Sequence, residues 1–176
     1  YVPVDREGLV RLLDVKNAIK ENTALISIMY ANSEIGTVQP IQEIGEMLEK
    51  LKTKNYKLKT VFHTDAVQAV QFLDCGVQKL KVDLLTMSSH KIYGPKGVGA
   101  LFVKSGTPIA GVHLGGQHEK NLRSGTLNVP GIVGLGQALK LCSLDKEKNN
   151  KKIARLRDKF ILQVLRRIPK VIINTD

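Results

Sequence analysis

The sequence predicts an α/β fold with a mostly parallel, doubly wound sheet, and two observations lead to that prediction. Short, continuously apolar runs of strand length alternate along the chain with segments whose apolar residues recur at helical spacing. Continuous apolar runs are typical of parallel strands covered on both faces, and strand–helix alternation is typical of the crossover units that join them. With 176 residues, 43 % of them hydrophobic, the chain can bury a sizeable core in one domain.

The predicted elements follow one another at short intervals. Apolar residues at 9–19 predict short helical segments with Asp14 as a cap. The apolar run 23–30 predicts the first strand, and the apolar spacing after Pro40 predicts a helix that ends near Lys52. After a loop at 54–59, the remaining predictions are strands at 61–64, 82–86 and 100–103, a helix opened by Pro130, a Lys/Asn-rich separator at 146–152, a helix at 153–165, and a terminal strand at 171–176.

Polar side chains follow the predicted strands at their carboxyl ends, where binding sites form in α/β folds. The strand at 82–86 runs into Ser88, Ser89, His90 and Lys91, which a Gly/Pro-rich turn follows. Hydroxyl and imidazole groups beside a lysine can orient an anion, and a lysine desolvated at a strand end can form a Schiff base with an aldehyde. An ordinary solvated loop lysine is the alternative, so a second element is needed to decide between them.

A second strand end supplies that element. Asp65 is expected at the carboxyl end of the strand at 61–64, with Gln68 in the first turn of the next segment. A carboxylate can keep a pyridinium nitrogen protonated, and pyridoxal-phosphate enzymes pair such a carboxylate with a Schiff-base lysine. A glutamine side chain can hydrogen-bond the phenolic oxygen of the same ring. His63, on the same strand, is expected to be a hydrogen-bonded structural histidine rather than a catalytic one.

Together these motifs resemble the cysteine desulfurase family, a class V aminotransferase-like group of pyridoxal-phosphate enzymes. The resemblance covers about residues 24–142 and continues more weakly on both sides. The segments that carry it are 31–40, 63–68, 89–97, 115–119 and 123–126. It implies the large domain of a fold-type I pyridoxal-phosphate transferase, with residues 1–145 as part of that domain and 146–176 as the start of an incomplete small domain.

The resemblance also implies a role for each matching residue. Lys91 is the Schiff-base lysine, Asp65 pairs with the pyridine nitrogen, and Gln68 pairs with the phenolic oxygen. Arg123 is a candidate for binding the substrate anion. The other residues assigned to the cofactor are Ser88, Ser89 and His90 at its phosphate, Thr126 at the phosphate in the neighbouring subunit, and Ser33, which stands where the family has the second of two adjacent asparagines.

The implied activity is removal of sulfur from L-cysteine, which gives L-alanine and an enzyme persulfide. The implied sulfur then serves iron–sulfur cluster, thio-cofactor or tRNA biosynthesis, through a homodimer and a sulfur-acceptor or scaffold protein. The residues also allow three alternative functions: a selenocysteine lyase, a non-catalytic truncated scaffold or dimerisation fragment, and a basic nucleic-acid-binding module. The net charge of +11 suggests the nucleic-acid-binding module. However, the lysines of the chain lie in runs without stacking aromatic residues, so no direct nucleic-acid contact is expected.

The two cysteines set further expectations. Cys75 and Cys142 show no metal-ligand spacing, so no metal is assigned, and a reducing, cytoplasmic compartment is the simplest location. Neither matches the family's persulfide cysteine, which lies in a flexible loop well beyond the lysine. The chain is therefore expected to be an internal part of a longer protein, truncated at both ends. No apolar run reaches membrane-spanning length, so no membrane is expected.

Overall fold

The structure is a computed structural model that describes residues 1–54 and 58–173. Its helices are α1 (Leu12–Ala18), α2 (Ile41–Lys54), α3 (Val77–Leu80) and α4 (Val129–Arg167). Its strands are β1 (Leu25–Met29), β2 (Val61–Asp65), β3 (Leu84–Ser88) and β4 (Gly99–Val103). Two 3₁₀ helices occupy Ser89–Ile92 and Glu119–Asn121. No helix in these described ranges is both long enough and apolar enough to cross a membrane.

The four strands form one sheet in the order β1-β2-β3-β4. The first three strands are parallel, and β4 runs antiparallel to β3. The register places Met29 opposite Asp65, Asp65 opposite Thr86, and Ser88 opposite Gly99. The predicted α/β fold with a mostly parallel sheet is therefore confirmed.

The two faces of the sheet differ in burial. On the covered face, Phe62 and Leu85 are buried against Ile44 of α2, in a core that also includes residues of α1 and α4. On the opposite face, which we call the open face, Leu25 and Leu101 are 54 % and 45 % exposed. The helices within residues 1–54 and 58–173 thus cover one face of the sheet. A doubly wound sheet has a second helical layer on its other face, and these residues do not form one.

One prediction about the helices is wrong. The Lys/Asn-rich segment 146–152 does not separate two helices, because α4 runs through it without a break from Val129 to Arg167. The sequence has no Gly or Pro between Gly136 and Pro169, and nothing else there forces the backbone out of the helix. Asn128 caps the start by accepting a hydrogen bond from the Gly131 amide at 3.1 Å.

Smaller differences concern element ends. Asp14 does not cap α1, because Arg11 holds the cap position and Asp14 lies in the first turn, paired with Arg11 at 2.7 Å. The third strand begins and ends two residues later than expected, so Ser88 is its last residue. Residues 171–173 carry no strand, and the rest of that predicted strand, like half of the predicted loop at 54–59, lies outside the described residues.

Candidate active site

The predicted site residues converge on one edge of the sheet. Because β1, β2 and β3 are parallel, their carboxyl ends meet at this edge. Asp65 ends β2, Ser88 ends β3, and the 3₁₀ helix Ser89–Ile92 carries Lys91 directly beyond β3. We call Asp65, Ser88, His90 and Lys91 the strand-end group.

Asp65 is held firmly by the sheet. Its backbone carbonyl accepts a hydrogen bond from the Tyr30 amide at 2.8 Å, which ties it to the end of β1. Its side-chain Oδ1 accepts from the Val67 amide at 2.9 Å, so the carboxylate starts the turn that carries Gln68. The residue lies half-buried on the open face, where a carboxylate can meet a ligand.

Ser88 and His90 form a pair at the end of β3. Ser88 Oγ lies 2.9 Å from His90 Nδ1, so one of these polar atoms donates a hydrogen bond to the other. Ser88 is half-buried, whereas His90 and Lys91 are exposed. Lys91 is thus accessible to an aldehyde, but it is not desolvated as expected for a Schiff-base lysine.

Ser89 has a different position from its neighbours. It is fully buried, its amide donates to the Val98 carbonyl at 3.1 Å, and its own carbonyl accepts from the amides of Tyr93 and Gly94. Its Oγ, which has no hydrogen-bond partner in the described part of the chain, lies so close to Gly94 that a Cβ there would overlap it. Ser89 therefore supports the turn under Lys91, and its contact with a cofactor remains a prediction.

His63 lies on the open face one step below Asp65. Its Nδ1 is 2.7 Å from Ser27 Oγ and its Nε2 is 3.3 Å from Thr86 Oγ1, so the ring bridges β1, β2 and β3. Burial lowers the pKa of His63, and the nearby Asp65 carboxylate partly offsets that effect. These bonds agree with the structural role expected for His63.

Four other predicted site residues lie in turns and loops. Gln68 is half-buried in the turn after Asp65, and Ser33 is exposed in the turn after β1. Arg123 is exposed and donates to the Gly125 carbonyl at 3.2 Å, and Thr126 is exposed nearby in the chain. No hydrogen bond found in the described ranges joins Arg123 or Thr126 to the strand-end group, so their roles remain predictions.

The positions of the cysteines and histidines bear on metal binding and on thiol reactivity. Within residues 1–54 and 58–173, no cluster of three or more His, Cys, Asp or Glu residues is placed to hold a metal. Burial raises the pKa of the Cys75 thiol to about 11, which keeps it protonated and unreactive near neutral pH. Cys142 lies half-buried, with its Sγ 3.7 Å from the Gln71 carbonyl oxygen.

Two residues near the site were not singled out from the sequence. Ser27 and Thr86 had no assigned role, yet they hold His63 from the strands on either side. Strand alternation was the signal that could have found them, because Ser27 is opposite His63 and Thr86 lies two residues beyond the residue opposite it. Their hydrogen bonds hold the His63 ring on the open face, next to Asp65.

The strand-end group has the chemistry that pyridoxal phosphate requires. A carboxylate suits its ring nitrogen, an accessible amine suits its aldehyde, and a paired hydroxyl and imidazole suit its phosphate. All of these groups lie at the same edge of the sheet, within and directly after two neighbouring strands. The residues present therefore fit this cofactor.

Comparison with known proteins decides the family. The sequence matches the profile of the family described as "Aminotransferase class-V" over residues 1–176. The chain belongs to the aminotransferase class-V family. Among curated relatives of this family, a cysteine desulfurase IscS of Clostridium botulinum is 48 % identical over 174 residues, which are 99 % of this chain and 42 % of the relative. A cysteine desulfurase of Rattus norvegicus is 38 % identical over 178 residues, with 100 % of this chain and 38 % of the relative covered.

Solved structures also resemble this class-V chain in fold. A NifS-like protein superposes with a TM-score of 0.86 at 40 % identity, covering 94 % of this chain and 44 % of that protein. A NifS-like protein from Rickettsia africae has a TM-score of 0.87 at 32 % identity, covering 99 % and 48 %. The resemblance predicted from the motifs is confirmed, and the chain spans about two fifths of the length of the curated relatives it matches.

Proposed function

We propose that this class-V chain provides the cofactor-binding part of a pyridoxal-phosphate-dependent cysteine desulfurase. The observation that carries the proposal is the convergence of Asp65, Ser88, His90 and Lys91 at one sheet edge. Relatives named cysteine desulfurase that align with almost the whole chain support the choice of reaction. A structural neighbour described as SspA in complex with cysteine, 41 % identical with a TM-score of 0.73 and with 80 % of this chain and 39 % of that protein covered, supports the choice of substrate.

Each residue of the strand-end group has a proposed task. Lys91 would bind the cofactor covalently through its Nζ and then move protons at the substrate's α-carbon. Asp65 would keep the ring nitrogen protonated, and Ser88 and His90 would bind the phosphate. Bound pyridoxal phosphate would supply an electron sink next to the substrate's α-carbon.

Residues outside the strand-end group complete the proposal. Gln68 would donate to the phenolic oxygen, and Thr126 would reach the phosphate of a cofactor in a second subunit of a homodimer. Arg123 would bind a substrate or phosphate anion, and Ser33 would contact the cofactor or substrate weakly. The thiol that receives the sulfur would be neither Cys75, whose raised pKa keeps it protonated, nor Cys142, which is half-buried against the Gln71 carbonyl.

The wider setting of the reaction is also a proposal. The sulfur would pass to an acceptor or scaffold protein for iron–sulfur cluster, thio-cofactor or tRNA biosynthesis in the cytoplasm, in line with relatives named IscS. Residues 1–145 would belong to the large domain and 146–176 to the small domain. In that case α4, which crosses residue 145 as one helix, would link the two.

The experiment that tests the cofactor site is covalent trapping. The chain is incubated with pyridoxal phosphate, reduced with borohydride, digested and mapped by mass spectrometry. We expect the phosphopyridoxyl group on Lys91, its loss in Lys91→Ala, and its retention in the control Lys96→Ala, which removes another exposed lysine of the same segment. Labelling spread over surface lysines in the parent chain would contradict the proposal.

The reaction is tested separately by measuring alanine formation in the assembled protein. We expect L-cysteine to be turned over and Lys91→Ala to abolish turnover. Faster alanine formation from L-selenocysteine would instead assign a selenocysteine lyase. Cofactor retention without turnover of either substrate would indicate a scaffold role.

A further inference from the structure

Two turns beside the active site rest on one row of side chains on α4. The row consists of residues spaced four apart along the helix, so that each member is next to the one before it and the row winds gradually around the helix. We call this row the α4 stripe, and its members are Gly134, Ala138, Cys142, Lys146 and Asn150. Its ends contact different segments, one that carries Lys91 and one that carries Gln68.

The amino-terminal end of the stripe lies against the turn after Lys91. A Cβ on Gly134 would lie 2.5 Å from Pro95 Cγ, so no side chain fits between α4 and Pro95. A Cβ on Gly94 would lie 3.1 Å from the Cβ of Ala138. Gly94 in turn donates its amide to the carbonyl of buried Ser89, two residues before Lys91. The small residues of α4 thus let the lysine segment rest directly on the helix.

The carboxyl-terminal half of the stripe lies against the Gln68 turn, which we define as residues 66–73. Lys146 Nζ donates to the Leu73 carbonyl at 2.7 Å, and Asn150 Nδ2 donates to the Phe72 carbonyl at 2.7 Å. The Gln68 turn is helix-like, with the Val70 amide donating to the Ala66 carbonyl at 3.0 Å. The last carbonyls of such a turn lack partners within it. Two side chains of α4 therefore satisfy them.

We propose that the α4 stripe is a positioning element that fixes the spacing between Lys91 and Gln68. This inference rests on the proposed function, in which both residues contact one pyridoxal phosphate. An α-helix is stiff, and the stretch from Gly134 to Asn150 spans about 24 Å. A single rigid body therefore holds two separate segments that, in the proposed site, contact neighbouring substituents of one small ring, its aldehyde carbon and its phenolic oxygen. Lys146 and Asn150 are positioning residues and do not touch the cofactor themselves.

The first test removes the two donors while keeping side-chain size. The double variant Lys146→Met/Asn150→Leu is compared, in the full chain, with Lys148→Met/Asn149→Leu, which makes the same chemical changes at exposed neighbours on the same helix. Hydrogen exchange without cofactor is expected to speed up several-fold at the amides of Val70, Phe72 and Leu73 in the first variant alone. Equal exchange in both variants would overturn the inference.

The second readout is the bound cofactor. We expect the donor-deleted variant to bind pyridoxal phosphate about fivefold more weakly than the control variant, since each lost hydrogen bond weakens the hold on Gln68. We also expect the pH midpoint of the bound cofactor's visible absorption to move upward, because loss of the Gln68 donor makes the phenolic oxygen more basic. The variant Lys146→Arg/Asn150→Leu keeps a donor at residue 146. We expect its cofactor affinity and its pH midpoint to lie between those of the donor-deleted variant and the control, which a general loss of stability would not predict.

The two proposals fail in distinguishable ways. If the parent chain binds no pyridoxal phosphate, the proposed function and this inference both fall. If the parent binds it and Lys146→Met/Asn150→Leu binds it equally well with an unchanged pH midpoint, only the positioning role is overturned.

The lysine end of the stripe has its own matched pair of variants. Gly134→Ala would push on Pro95, whereas Gly136→Ala places its methyl group in open space on the same helix. We expect borohydride trapping at Lys91 to slow several-fold in Gly134→Ala and to stay unchanged in Gly136→Ala. Equal trapping rates in the two folded variants would overturn this half of the inference.

Discussion

The imidazole of His63 lies 2.7 Å from Ser27 Oγ through its Nδ1, and this contact joins the middle of β1 to β2 on the open face. On the other side, Nε2 of the same ring approaches Thr86 of β3 at 3.3 Å. Asp65 is two residues further along β2, so its side chain lies on the same face as His63, next to the ring that links the three strands. His63, a residue outside the strand-end group, therefore links the strand that ends at Asp65 to the strand that ends at Ser88.

This arrangement makes stability depend on pH in a defined direction. Burial lowers the pKa of folded His63 below its ordinary value of about 6.5. Between the folded pKa and 6.5 the unfolded chain binds more protons, so stability is fully present above 6.5 and falls as pH falls through that window. We expect His63→Gln to flatten this part of the profile, as measured by urea unfolding from pH 8 to pH 5.

The control for His63 is an exposed histidine. His113→Gln changes the same residue type at an exposed position and should leave the pH profile of the parent unchanged. A parent chain whose unfolding free energy is flat across the window, or a His63→Gln chain that keeps the full slope, would contradict the prediction.

We predict that Asp83, which lies at the other end of β3 from Lys91, contributes strongly to stability. It is 8 % exposed, and its Oδ2 accepts from the Phe62 amide at 3.0 Å and from Lys52 Nζ at 3.1 Å. Burial disfavours the charged carboxylate, yet the Phe62 amide and the Lys52 ammonium outweigh it and lower the pKa of Asp83. Its contribution is therefore present above the ordinary carboxyl pKa and is lost as pH falls through the folded value.

We expect Asp83→Asn to lower the free energy of unfolding at neutral pH by about 1–3 kcal/mol, because the charge-assisted bond to Lys52 is lost. Urea unfolding measures this change, with Asp158→Asn as the control, since Asp158 is exposed beside Arg157. Equal midpoints for the two variants would show that the Asp83 bonds contribute little.

The parts of the site that come directly after strand ends could be predicted from the sequence. An apolar run followed by a polar cluster is a local signal, and it located both Asp65 and Ser88 at one sheet edge. The cofactor roles that the resemblance assigns to Arg123 and Thr126 have no such local signal, because no short pattern states what a loop residue approaches. They depend on contacts between segments distant in sequence.

The continuous helix α4 shows why the rest could not be predicted. The polar composition of segment 146–152 predicts a separator, because solvated polar runs usually connect elements. In the structure, Lys146 and Asn150 of that segment donate to carbonyls of residues more than seventy positions earlier. Such partners exist only after folding, so composition alone could not distinguish a linker from a helix whose polar side chains have tertiary acceptors.

Ser88 supports a prediction about cofactor affinity. Its hydroxyl lies 2.9 Å from His90 Nδ1, and both side chains are proposed to bind the cofactor phosphate. We expect Ser88→Ala to weaken pyridoxal phosphate binding about fivefold, since one direct bond is lost and His90 is less well oriented. Ser105→Ala, at the opposite edge of the sheet after β4, should not change the affinity measured by titration. Unchanged binding by Ser88→Ala would remove this residue from the proposed phosphate site.

Tyr93 supports a prediction about backbone strain next to the lysine. Its φ of 64° lies in the left-handed region, and its side chain is 89 % exposed, so packing does not explain the conformation. The Tyr93 amide closes the 3₁₀ helix that carries Lys91 by donating to the Ser89 carbonyl. Because glycine adopts this region without steric cost, we expect Tyr93→Gly to be more stable than Tyr93→Ala by about 1 kcal/mol.

The comparison of Tyr93→Gly with Tyr93→Ala separates strain from loss of the ring, since both variants remove the aromatic side chain. Urea unfolding of the two variants gives the difference directly. A stable Tyr93→Gly chain that also traps pyridoxal phosphate at Lys91 at the parent's rate would show that the turn requires the left-handed backbone and not the tyrosine. If Tyr93→Ala is as stable as Tyr93→Gly, the left-handed conformation at residue 93 costs little.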